Sequence, residues 1–417
     1  MPLTAKQTEL IKATVPVLQE HGNIIAATFY GNMIRENPEL NNVFNKTNQA
    51  NQHQPRALAG SLLAYAANID NLSVLGPAIE RISQKHVSFF IRPEDYKIVE
   101  KYLLAAMGQV LGPALTPEVL EAWTVAYNQL ADIMINREAV LYKEDEGWTD
   151  WRDFKIKRKV VESDEITSFY LQPVDEKPLP GFKPGQYISI RNEVPEWKHL
   201  QVRQYSLSDA PREDYYRISV RRDEGITSAA QGSTVHPGYI SNVLHKTKQE
   251  GDTIQVSHPH GEFFLDTEKL PSSTPVVLIS AGVGLTPLLS ILNTLVAKGS
   301  QQPISWVHGV RRSSAQAFGP HVRDICKSHQ NVHSTIFNAN PLDQDVLDVD
   351  YHHSGRVQLP KLRPEEDLFL GDKSTQYYIC GPAGFMVAME KSLLSSGVDQ
   401  ARINLELFGT GDLPGRA

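Results

Sequence analysis

The sequence predicts a multidomain protein with three folds in series: an all-α segment, an antiparallel β-barrel, and an α/β segment with a parallel sheet. Three observations carry this. From Thr4 to about Lys143 apolar residues recur at helical spacing, with no sustained two-residue alternation. From Phe154 onward, short alternating runs follow one another without long helices. Beyond Pro271 the pattern becomes strand, glycine turn, helix, repeated. A chain of 417 residues is also too long for one core.

Composition narrows the class. The hydrophobic share is 41% and the charged share 21%, as in an ordinary soluble protein. The 41 basic and 48 acidic residues give a net charge of −7, which argues against a general nucleic-acid binder. Only Cys326 and Cys380 are present, too few for a disulfide framework and in keeping with a reducing compartment. No apolar run approaches the roughly 20 residues that cross a bilayer, and Met1–Gln7 has no signal-peptide core. A cytoplasmic monomer is expected, with a mitochondrial pool left open.

In the helical segment, residues 1–143, Asn37-Pro38 and Gly76-Pro77 break the pattern into helix-sized lengths. Leu72, Leu75, Ile79, Ile82, His86 and Phe89 fall on one face, so His86 points where the apolar side chains point. A lone histidine there is ordinarily a core residue. Tyr30 beside Phe29, Phe44 after Pro38, and the face Gln54, Leu58, Leu62, Tyr65, Ile69 change that weighting. A haem asks for an imidazole on one side, apolar walls, and a hydrogen-bond donor on the other. His86 would be the metal ligand, Phe44 and Leu58 the walls, and Tyr30 with Gln54 the donors.

The charge run Glu144–Asp150 marks a linker, 144–152. In the β segment, 153–268, two tetrads stand out: Pro184-Gly185-Gln186-Tyr187 and Arg203-Gln204-Tyr205-Ser206. Arg203 can neutralise a pyrophosphate, Tyr187 and Tyr205 offer aromatic faces, and Ser206 can hydrogen-bond a ring nitrogen. Gly238 to His245, with Ser241, reads as a short helix whose first N–H groups could meet a pyrophosphate. A polar stretch, 223–237, is inserted before it. His258 and His260 are either a metal pair or, more simply, turn residues.

In the last segment, 269–417, an apolar strand runs into Gly282-Val283-Gly284-Leu285-Thr286-Pro287 and then a helix from Leu288. Such glycines let the backbone approach a pyrophosphate at a helix start. Arg311-Arg312, after a second strand, either grip a 2′-phosphate or face water; both remain open. A later strand ends at Cys380-Gly381-Pro382, where Cys380 has the size of a small buried residue. Leu407-Phe408-Gly409-Thr410-Gly411 follow near the C-terminus.

The paired tetrads and Gly-x-Gly-x-Thr-Pro resemble the ferredoxin reductase superfamily. Ala27–Tyr30, Asn37–Leu40, Lys85–Phe89, Arg92–Tyr96 and Ile135–Ala139 resemble the globin domain of the flavohaemoglobins, in loop detail the fungal or yeast members. The likeness runs over all 417 residues. It implies haem b held by His86, FAD in the barrel, and NADH or NADPH in the last domain. It further implies that Tyr96 and Glu138 push on His86, that Phe408 lies over the flavin opposite Tyr187, and that the Cys380-Gly381-Pro382 turn lies near the nicotinamide. Thr410-Gly411 depart from the family's usual proline and histidine. Lys85 either meets a haem propionate or faces water. The activity implied is a nitric oxide dioxygenase that detoxifies nitric oxide, turning it with O2 into nitrate at a haem reduced by NAD(P)H through FAD. The rivals are an oxygen-binding or gas-sensing globin with a maintenance reductase, and a general NAD(P)H flavin reductase. Nitric oxide-dependent NADH use separates the first, and mutation of His86 the second.

Overall fold

The computed structural model describes residues 2–44, 49, 52–145, 147–194, 199–227, 234–235 and 238–409. These form two compact units: residues 1–151 with 191–203, and residues 152–190 with 204–409.

The first unit is helical. Its helices are α1 (Ala5–Ala13), α2 (Val15–Glu36), α3 (His53–Ala67), α4 (Gly76–Ser88), α5 (Pro93–Leu111) and α6 (Pro117–Glu144). Thr4 and Gln7 cap α1 reciprocally. Pro38 opens a 3-10 turn, Pro38–Asn42, and Pro16, Pro77, Pro93 and Pro117 stand in the first turns of α2, α4, α5 and α6, where a missing N–H costs nothing. The predicted face from Leu72 to Phe89 is therefore split: Leu72–Leu75 is a 3-10 turn, and α4 begins at Gly76-Pro77. Ile11, Ile25, Phe29, Met33, Tyr65, Leu103 and Trp123 meet in one core. Each such side chain contributes about 1.5–3 kcal/mol by leaving water.

After the helices the chain forms β1 (Arg152–Val161), β2 (Ile166–Pro173), β3 (Tyr187–Val194), β4 (His199–Ser206) and β5 (Tyr216–Arg221). A two-stranded ribbon, β6 (Ile226–Thr227) and β7 (Thr234–Val235), follows, then a four-residue helix α7 (Tyr239–Asn242) and β8 (Thr253–Val256). The sheet order is β4-β3-β8-β1-β2-β5, and β1 pairs antiparallel with both β2 and β8. Leu207, just past β4, bridges Ile218 on β5, and Ser208 N donates to Arg217 O at 2.9 Å. The two outer strands thus meet, and the sheet closes as the predicted barrel.

The parallel sheet follows: β9 (Val276–Ala281), β10 (Ile304–Val310), β11 (Val332–Asn338), β12 (His353–Ser354), β13 (Gln376–Cys380) and β14 (Ile403–Glu406). Its order, β12-β11-β10-β9-β13-β14, is parallel throughout and reverses direction at β9/β13. Helices α8 (Leu285–Ala297) and α9 (Gly319–Ser328) cover one face, and α10 (Ala383–Ser395) covers the other. Near-continuous burial of β9 is what a sheet covered on both faces demands.

Candidate active site

His86 lies two residues before the end of α4, with Lys85 half-buried beside it. Its Nδ1 is 2.8 Å from Glu138 Oε1 on α6 and 3.0 Å from the Tyr96 hydroxyl on α5. The Tyr96 hydroxyl in turn donates to Glu138 Oε1 at 2.6 Å. Glu138 is only 2% exposed. Burial, then the adjacent Glu138 charge, hold the Tyr96 phenol far above its ordinary range, so it stays protonated. A buried carboxylate taking both protons assigns the Nδ1–H tautomer and leaves Nε2 as the lone-pair nitrogen. That donor set fits an iron porphyrin.

Other contacts, not read from the sequence, fix this trio. Arg137, next to Glu138, grips Glu80 one and a half turns before His86, and Gln84 Nε2 donates to Glu80 Oε1 at 2.9 Å. Tyr127 donates to the backbone oxygen of Tyr96 at 2.7 Å.

Tyr30 on α2 is buried, its ring edge-on to Phe29 and Phe44 at 4.7 and 5.4 Å between centroids. Burial pushes its phenol well up, and a hydrogen bond from Gln54 partly offsets the rise. Gln54 Oε1 accepts from Gln49 Nε2 at 2.9 Å. Phe44 and Leu58, both half-buried, pack on the same core. Gln49 carried no sequence signal, since its role depends on Gln54.

Along β3 and β4 the two tetrads come together. Leu207 N, immediately after Ser206, donates to Gln186 O at 2.9 Å. Arg203, Gln204, Tyr205 and Ser206 lie in order along β4, and Ser206 is buried. Gly185 has φ +113°, and a Cβ there would sit 2.6 Å from Phe263 O. Tyr187 exchanges both backbone bonds with His260 at 2.9 Å. Its ring covers Gly261, where a Cβ would meet Cε1 at 2.9 Å. This is an aromatic wall that fits a flat ring system.

Gly238 also admits no side chain: a Cβ would lie 2.6 Å from Ser241 Oγ. Ser241 donates to Gly238 O at 2.9 Å and accepts from Asp223 N at 3.3 Å. The expected helix to His245 is present, in two forms. α7 ends at Asn242 and passes into a wider π turn, Val243–Thr247.

At the direction reversal of the parallel sheet, Gly282–Gly284 form a 3-10 turn and Leu285, Thr286 and Pro287 already belong to α8, which starts three residues before the expected Leu288. Gly282 has φ +54°. A Cβ on Gly284 would fall 2.3 Å from Cys380 O and 2.7 Å from Gly381 N. The loop of Val283 and that of Cys380, Gly381 and Pro382 thus pack backbone to backbone at the strand ends, where dinucleotides bind such sheets. Cys380 is fully buried, and burial followed by the nearby Glu406 pushes its thiol well up. Leu407 packs on the adjacent core, Phe408 is 45% exposed, and Gly409 N donates to Leu407 O. Thr410 and Gly411 lie outside the described residues, as does most of 228–237.

A helical unit with a carboxylate-backed histidine, ahead of a barrel and a dinucleotide-type sheet, defines a globin joined to a reductase. The globin family model matches residues 27–134, and that of the oxidoreductase NAD-binding domain residues 278–391. A flavohaemoprotein of Bordetella parapertussis is 45% identical over 414 residues, 98% of this chain and 99% of that one. A solved flavohaemoglobin of Malassezia yamatoensis, with bound FAD and haem, has a TM-score of 0.84 at 27% identity, covering 98% of this chain and 100% of that chain. The FAD/NAD-binding domain of a nitric oxide dioxygenase from Vibrio cholerae has a TM-score of 0.53 at 34% identity, over 62% of this chain and 99% of that one. The chain belongs to the flavohaemoprotein family.

Proposed function

We propose that this protein is an NAD(P)H-dependent nitric oxide dioxygenase, and that the carboxylate-backed His86 is the observation that carries the reading. When bound, haem b supplies the redox iron at which O2 and nitric oxide become nitrate, and FAD parts the two electrons of a hydride into single ones.

The chain's own residues would act as follows. His86 offers Nε2 to the iron while Glu138, hydrogen-bonded to Nδ1, lends the ring imidazolate character. Tyr96 holds its proton on the same oxygen and fixes the carboxylate. Tyr30 donates its hydroxyl proton toward substrate, with Gln54 orienting the phenol. Phe44 and Leu58 exclude water, and Lys85 answers a propionate.

Arg203, Gln204, Tyr205, Ser206, Gly238 and Ser241 would hold FAD, with Tyr187 and Phe408 on its ring. Gly282–Pro287 and Cys380–Pro382 would hold the nicotinamide dinucleotide, with Leu407 and Gly409–Gly411 completing that edge. The same reading takes residues 1–143, 153–268 and 269–417 as the three domains. Helix α6 ends at Glu144 and β1 starts at Arg152, which supports the first limit. A cytoplasmic monomer is part of the reading, supported by two unbonded cysteines.

The test is a nitric oxide electrode trace in aerated buffer, with haem- and FAD-loaded protein, before and after NADH. Rapid NADH-dependent loss, matched by nitrate and blocked by cyanide, is expected. Slow loss with both cofactors bound would leave storage, sensing or another acceptor.

A further inference from the structure

Strand β10 ends at Val310, and the chain leaves it as Arg311-Arg312-Ser313. In a doubly wound sheet the residues past this second strand meet the adenosine ribose. An acid there suits a free 2′-hydroxyl, and a cation suits a 2′-phosphate. By position alone, two arginines favour the phosphorylated dinucleotide.

Both arginines, however, are already matched by acids from the barrel. Arg311 pairs with the Glu165 carboxylate, and Arg312 Nη2 lies 3.6 Å from Asp164 Oδ2. Asp164 and Glu165 sit on the turn between β1 and β2, and that turn is fixed by its own backbone. Ser163 Oγ accepts from Glu165 N and Ile166 N at 3.3 and 3.2 Å. Arg222 N donates to Glu165 O at 2.8 Å, and Asp164 N donates to Ser314 O at 3.0 Å. The last bond ties the turn directly to the arginine loop. The turn is therefore held by main-chain bonds, which keep both carboxylates close to the arginine loop.

We propose that Asp164 and Glu165 are specificity-determining residues that occupy Arg311 and Arg312 and so favour the dinucleotide without a 2′-phosphate. The inference rests on reading residues 269–417 as the nicotinamide domain. A 2′-phosphate would have to displace carboxylates already seated on the arginines and then lie beside the displaced negative charge. A 2′-hydroxyl meets neither obstacle.

Calorimetric titration of the full-length protein with 5′-AMP and with adenosine 2′,5′-bisphosphate tests this. In the Asp164→Asn, Glu165→Gln double variant, the bisphosphate should bind roughly tenfold tighter while 5′-AMP binding is unchanged. The gain should vanish when Arg311→Ala and Arg312→Ala are added. No gain in the double variant, or a gain that survives loss of both arginines, overturns the proposal. Failure of 5′-AMP to bind the unaltered protein removes the nucleotide-site reading, and the proposal with it. Arg311, Arg312 and Asp164 are exposed and Glu165 is half-buried, and circular dichroism checks that the variants stay folded.

Discussion

Arg137 meets Glu80 edge-on, Nε to Oε2 at 2.6 Å and Nη2 to Oε1 at 2.8 Å. The pair ties α6 to α4 one residue from Glu138, so it fixes the distance across which Glu138 reaches His86. Each partner's side chain is 32% exposed, so solvent screening limits the pair to about 1 kcal/mol.

The Arg137 hydrogen bond, chiefly, holds the Glu80 carboxyl below its usual range. A depressed folded value means stability present above the unfolded pKa and lost as pH falls through the folded one. Glu80→Ala should lower the melting temperature of the helical unit by about 2–4 °C at pH 7. That gap should close in acid, and a gap that persists at pH 3 would point to lost packing instead.

Glu138→Gln keeps the shape and removes the charge behind His86. Changes to such outer partners cost roughly 10–100-fold in activity or affinity. Nitric oxide consumption should fall within that range, and the iron–histidine stretch in resonance Raman spectra should drop. An unmoved stretch would show that Glu138 only supports the helix.

Tyr30→Phe removes the buried hydroxyl that lies beside Gln54. A hydrogen bond to a charged acceptor is worth about 1.5–3 kcal/mol, so O2 should leave roughly 10–100 times faster in flash photolysis. An unchanged off-rate would take Tyr30 out of the role.

Gly284→Ala places a methyl 2.3 Å from Cys380 O, against backbone that cannot turn away. A cost of about 1–3 kcal/mol is expected, together with a raised KM for NADH in ferricyanide reduction and unchanged haem spectra. Equal NADH affinity in the variant would mean that the two loops tolerate separation.

Burial holds the His308 imidazole at about 4 against an ordinary 6.5. Its folded value is depressed, so the unfolded chain takes up the proton first. Stability is then withdrawn as pH falls from 6.5 toward 4, at up to about 1.4 kcal/mol per pH unit. Melting curves of His308→Gln and the unaltered protein between pH 7 and 5 check this. The variant should lose less over the interval, though other buried histidines keep some slope. Parallel curves would place the loss elsewhere.

Much of this was legible because it is local. The three-and-four spacing around His86, the glycines before Thr286-Pro287, and the alternation in Ile188–Ile190 each declare themselves within a few residues. What escaped is long-range. Arg137 and Glu80 are 57 positions apart, Leu207 meets Ile218 only after a strand has turned back, and Arg311 finds Glu165 across 146. Nothing within either segment marks such a partner. Arg311-Arg312 looked like two free cations because the acids that match them belong to a different part of the chain. The Gly238–His245 helix was legible in extent but not in type: it runs past His245 to Thr247, and widens from α to π after Asn242.

Trp123, Tyr127, Arg137 and Glu138 share one uninterrupted 28-residue helix. Every added residue rotates a helix by about 100°. A single insertion or deletion between Tyr127 and Arg137 would swing Glu138 a quarter-turn or more off His86 while leaving composition and hydropathy almost untouched. A seven-residue change would bring the rotation back to within about 20° but carry Glu138 about 10 Å along the axis, so this stretch tolerates substitution far better than any change of length.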